Sequence, residues 1–230
     1  AGKMSVLFDI RSIFLMGAIC SIVCALTLFG ARRLHPASFL AMVWGAAALA
    51  VEGAAMLAFA FRGLIPDTVS YLLANALAPA AVLLIFESVR LLCGQRNRPW
   101  LIGLGIAALL LIQLQFGSDP AARAARIMVT SACDAALIIC LLPILWRRRG
   151  LEPVVPLRWA IGFAALFGLM HCLRLAMAVV GGVAASRDGH YAGGMAQSLF
   201  VALFAVTPVV YAMIVLSWVN ARIAREWRLL

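Results

Sequence analysis

Seven apolar runs, each about as long as a bilayer is thick, divide this chain of 230 residues. They cover about 8–30, 37–61, 68–93, 100–117, 127–146, 159–181 and 198–219. A helix needs roughly 20 apolar residues to cross ~30 Å of hydrocarbon. Between the runs stand clusters of Pro, Gly and charge that end helices, such as Arg32-Arg33-Leu34-His35-Pro36, Gly94-Gln95-Arg96-Asn97-Arg98-Pro99 and Arg147-Arg148-Arg149-Gly150. Composition agrees: 65% of residues are AVILMFWYC and 12% are charged, against about 45–50% and about 25% in soluble domains. The pattern predicts an all-α, polytopic membrane protein with a seven-helix bundle, and excludes a soluble domain, a disordered chain, a coiled coil and a disulfide scaffold.

The 19 Lys and Arg against 9 Asp and Glu orient this bundle rather than bind nucleic acid. One set of span ends carries Arg32, Arg33, Arg96, Arg98, Arg147, Arg148, Arg149, Arg158, Arg222, Arg225 and Arg228. The other carries only Lys3, Arg11, Arg62, Arg123, Arg126 and Arg187. By the positive-inside tendency the N-terminus is outside and the C-terminus cytoplasmic. Trp100, Trp146, Trp159 and Trp218 sit at the cytoplasmic ends, as an interfacial belt would. The six cysteines lie in apolar runs, where free Cys behaves as a small hydrophobe. None has zinc-ligand spacing. Spans 1–3 and 5–7 run the same way, and Trp44/Gly53 pair with Trp159/Gly168 at one offset, so a 3+1+3 pseudo-repeat of the kind seen in small transporters is an alternative organisation.

Ionisable groups in hydrocarbon are expensive and mark sites by default. Glu52, Asn75, Asp134 and Arg174 fall about seven to nine residues below the outer ends of spans 2, 3, 5 and 6, with His171 one turn from Arg174. They are expected to form an outward-facing ligand pocket in which Arg174 and His171 meet Glu52 or Asp134; the alternative is a set of mutually satisfied structural pairs. Glu87 and Arg90 are expected to pair at i,i+3. Pro79, Pro143 and Pro208 fall within spans. His171 could serve as an axial haem ligand, with Met56 near the same depth. No Gly-rich phosphate loop, HExxH or nucleophile elbow is present, so no catalysis is assigned to these residues. The Gly-rich segment 182–195 reads as a lid or a plain loop.

Past Trp218 the helix meets no Gly or Pro, so span 7 is expected to continue as one rod, with Val219, Ile223 and Leu230 beginning a dimer seam. Leu7-Phe8-Asp9-Ile10-Arg11-Ser12, Trp44-Gly45, Arg62-Gly63 through Asn75-Ala76, Phe86 through Gly94 and Asn220 through Glu226 occur in that order. Together they resemble the seven-helix membrane sensor region found ahead of GGDEF domains in bacterial diguanylate cyclases. The resemblance implies a sensor domain over 1–219, a signalling helix from 220–230 leading to a cytoplasmic output domain, a homodimer, and residence in the bacterial inner membrane. It also implies a small-molecule ligand and control of cyclic di-GMP synthesis; the cyclase chemistry would belong to the output domain.

Overall fold

A computed structural model describes residues 10–116, 122–180 and 195–228. The described chain forms seven long helices: α1 Ile10–Ala31, α2 Phe39–Ala60, α3 Asp67–Leu92, α4 Pro99–Phe116, α5 Arg123–Arg147, α6 Val154–Val180 and α7 Met195–Trp227. Two 3-10 turns, Arg32–Leu34 and Pro36–Ser38, join α1 to α2. No strand occurs among the described residues. All seven helices are long and apolar enough to cross a membrane. The segment 182–195, read above as a lid or loop, lies outside the described residues except for the first residue of α7.

Three helices outrun their apolar stretches. α5 starts at Arg123 and α6 at Val154, each a turn or more before its apolar run. Pro156 falls in the first turn of α6, where its missing donor breaks no helical bond. α7 continues for 33 residues, about 50 Å, through Pro208. Pro79 and Pro143 likewise lie inside continuous helices.

Six helices close a ring in the order α1, α2, α3, α5, α6, α7 and back to α1, while α4 lies outside against α3. Small residues let the backbones approach, since lipid supplies no hydrophobic drive between helices. A methyl at Gly53 would stand 3.3 Å from Ser21 and 3.4 Å from the Ala18 carbonyl on α1. One at Gly168 would meet Ile138 of α5 at 3.1 Å. The six cysteines are all free.

Two expectations for the end of α7 do not hold. Trp100, Trp146 and Trp159 are exposed, as an interfacial belt requires, but Trp218 is fully buried. Its indole N–H is needed as a donor inside the bundle, described below. Val219 is also buried in the core and Ile223 packs against it. The bundle itself therefore covers Val219 and part of Ile223, two of the residues expected on a dimer seam; Leu230 lies outside the described residues.

Candidate functional site

At the N-terminal end of the bundle, where α1 begins, the helix ends converge on a cleft. Arg11 of α1 donates to the Arg62 carbonyl at 3.1 Å. The guanidinium groups of Arg62 and Arg126 stack over the ring of Tyr71 on α3, at 4.2 and 4.9 Å from its centroid. Arg174, near the end of α6, lies 4.3 Å over the ring of Phe200 on α7. Aromatic faces attract cations through their quadrupole, so Tyr71 holds two arginines and Phe200 one against the cleft. The cleft encloses about 920 Å³, its open mouth included, and is lined also by Asn75, Thr130, Asp134 and His171.

Deeper in the cleft, Asp134 of α5 and His171 of α6 are both buried, with Oδ2 and Nδ1 3.4 Å apart. The imidazole is packed edge-on by Phe167 and Phe200, at centroid distances of 4.7 and 5.5 Å. The two groups are in ion-pair reach without an aligned hydrogen bond, and Asp134 Oδ1 and His171 Nε2 have no hydrogen-bond partner among the described residues. Asn75 donates its side-chain amide to the Tyr71 carbonyl at 2.7 Å. The Thr130 hydroxyl donates to the Arg126 carbonyl at 2.8 Å and accepts from Gln113 of α4 at 3.4 Å.

Of the five candidates read from the sequence, the structure thus brings Asn75, Asp134, His171 and Arg174 to one cleft. Glu52 is not among the lining residues. It is buried on α2, seven residues and about 10 Å inward of Phe59, the lining residue of the same helix. It lies near enough to Asp134 for the two charges to interact, but His171 meets Asp134, not Glu52. Sequence reasoning assigned Arg62 and Arg126 only to orientation and missed Tyr71 and Thr130. The available signal was an aromatic one turn inside α3, close to two arginines at neighbouring helix ends.

Haem fits this geometry poorly. His171 Nδ1 faces Asp134, the ring is enclosed by two phenylalanines, and the Met56 sulfur packs at 3.8 Å from Ser21 in the α1–α2 seam, away from the cleft. Among the described residues no group of three His, Cys, Asp or Glu side chains stands ready for a metal.

The opposite, C-terminal end carries a different arrangement. Glu152, in the α5–α6 connection, accepts from Arg222 of α7 through both oxygens, at 2.8 and 2.6 Å, and from Trp218 Nε1 at 3.0 Å. Arg222 also donates to the Leu92 carbonyl at the end of α3, and Arg225 to the Leu151 carbonyl at 3.0 Å. Burial pushes the Glu152 carboxyl up, but the bonds from Arg222 and Trp218, with the charges of Arg222 and Arg148, hold it below the usual carboxylate range. This latch fastens α7 to α3 and to the α5–α6 connection. Nearer the middle, Tyr211 of α7 donates to Ser88 of α3 at 2.7 Å, and Ser88 to the Ala41 carbonyl of α2 at 2.7 Å.

No family model, no curated protein and no solved structure matches this chain.

Proposed function

We propose that this chain is the membrane-embedded part of a sensor that binds a small anionic ligand in the cleft and passes the event along α7. The observation that carries this reading is the convergence of three guanidinium groups with Asn75, Thr130 and a buried Asp134–His171 pair in one cleft. Guanidinium groups hold planar anions through paired donors. The arginine distribution supports a cleft facing the outside of a bacterial inner membrane, with α7 leading into the cytoplasm. The resemblance described above makes a GGDEF diguanylate cyclase the output domain proposed to follow α7. A homodimer, if formed, would use surfaces other than Val219, which lies in the core.

Coupling needs an element whose packing the ligand can bias. α7 supplies one, since Phe200 and Phe204 line the cleft and Arg222 closes the latch on the same helix. Hydrogen exchange along α7, with and without butyrate, succinate or phosphate, tests the reading. Altered protection over 218–227 with at least one of these anions is expected, and it should disappear in Arg174→Gln. Identical exchange in every case would refute the coupling.

A transporter is the second reading. The ring order is unchanged when α1–α3 exchange places with α5–α7, and α4 stands outside as a linker would. Uptake of the same anions into proteoliposomes would favour it over the sensor.

A further inference from the structure

We propose that the ligand is a single-chain anionic amphiphile with the chemistry of a free fatty acid: its carboxylate sits among Arg62, Arg126 and Arg174 and its chain runs inward between α3, α5, α6 and α7. This rests on the cleft being a ligand site and names the class of ligand. A second, narrower apolar cavity lies inward of the cleft, along the same faces of the same four helices. Ala78 is followed by Val82 on α3, Asp134 by Ile138 on α5, His171 by Phe167 on α6 and Phe204 by Thr207 on α7. Steps of three and four keep one helix face.

The chemistry changes abruptly from one cavity to the next. Among the described residues Thr207 and Tyr211 are the only polar side chains lining the second cavity, and both hydroxyls donate elsewhere, to the Leu203 carbonyl at 3.1 Å and to Ser88 at 2.7 Å. Water needs two to four polar partners to stay in a cavity. These walls suit hydrocarbon instead. Along α5, Ile138 lies about 6 Å and Leu141 about 10 Å inward of Asp134, so a medium-length acyl chain whose head meets Arg174 ends within the cavity.

The bilayer also has a way in. An open groove runs between α6 and α7, where exposed Trp159, Leu166 and Val206 face outward. It shares Phe163, Phe167 and Thr207 with the interior cavity. Gly162 lines it, and a methyl there would meet nothing within 4 Å. A chain lying in this groove is one layer of side chains from the interior, so the ligand reaches the site sideways from lipid, head toward the arginines.

The test is saturable binding of radiolabelled laurate and butyrate to the protein in lipid nanodiscs, with empty nanodiscs subtracted. Laurate should bind at least about tenfold more tightly than butyrate, since each buried methylene adds to affinity. Ala164→Leu and, separately, Val82→Leu narrow the inner cavity and should weaken laurate about tenfold while leaving butyrate unchanged. Arg126→Gln should weaken both. Laurate binding no tighter than butyrate, or unaffected by both cavity-filling variants, overturns the amphiphile. Butyrate binding that still falls in Arg126→Gln would then leave the ligand cleft standing, and absence of binding by either acid would remove both.

Discussion

The buried and partly buried carboxylates among the described residues are treated in opposite ways at the two ends of the bundle. At the C-terminal end Glu87 gives one oxygen to Arg90 and the other to the Arg98 N–H, and Glu152 takes three donors. Toward the N-terminal end, neither oxygen of Glu52 and only one of Asp134 has a partner among the described residues. Burying a polar group without a hydrogen bond is costly, and native proteins rarely do it without cause. A carboxylate with both oxygens engaged is scaffold; one kept half-satisfied beside a cleft is held ready for something that arrives. The division is one of carboxylates only, since Trp44 Nε1 and Asn97 Oδ1 are also buried without a partner.

Stability measurements can break this comparison. Glu87→Leu should have the largest effect, about 3 kcal/mol of destabilisation, because it strands a partly buried Arg90 and a backbone donor. Glu152→Ala follows at about 2 kcal/mol, from lost charge-assisted bonds to Arg222 and Trp218. Its pH dependence has a definite sign. Because the folded carboxyl is held below its ordinary value of 4.5, the latch is fully stabilising above that value and weakens as pH falls through the folded value. The stability gap between the protein and Glu152→Ala should therefore shrink on acidification, read from paired thermal melts. Gly45→Ala should cost about 1–2 kcal/mol, since its methyl would stand 2.8 Å from Tyr211 Oη and 3.2 Å from Ser88 Oγ. Smallest, and opposite in sign, is Glu52→Met, expected to be neutral or stabilising by up to about 1 kcal/mol. A loss at Glu52→Met comparable to that at Glu87→Leu would erase the distinction between the two ends.

The sequence made the helices legible because their signal is one-dimensional. Apolar runs and the breakers between them fixed all seven, and the i,i+3 spacing of Glu87 and Arg90 was enough to expect their pair. It also gave depth, which is why Asn75, Asp134, His171 and Arg174 emerged together. What it could not give was azimuth around each helix or the order of helices in the ring. Glu52 lies inward of Phe59 and outside the cleft lining, while Arg62 and Arg126 looked like solvated ends and turned inward onto Tyr71. The latch was hidden for a related reason: Glu152 and Arg222 are 70 residues apart. Glu152 is nonetheless the one acidic residue in an arginine-rich connection, and that imbalance was the available clue.

The most direct test of the anion cleft is thermal stability during titration with acetate, butyrate, succinate and inorganic phosphate, for the protein and for Arg126→Gln/Arg174→Gln. A ligand that binds only the folded state stabilises it by about 2.7 kcal/mol at a hundred times its Kd. The melting temperature should rise with the logarithm of concentration for at least one of these anions, and the double variant should melt normally and not respond. A flat melting temperature across all four, or an equal rise in the double variant, would contradict an anion site in this cleft.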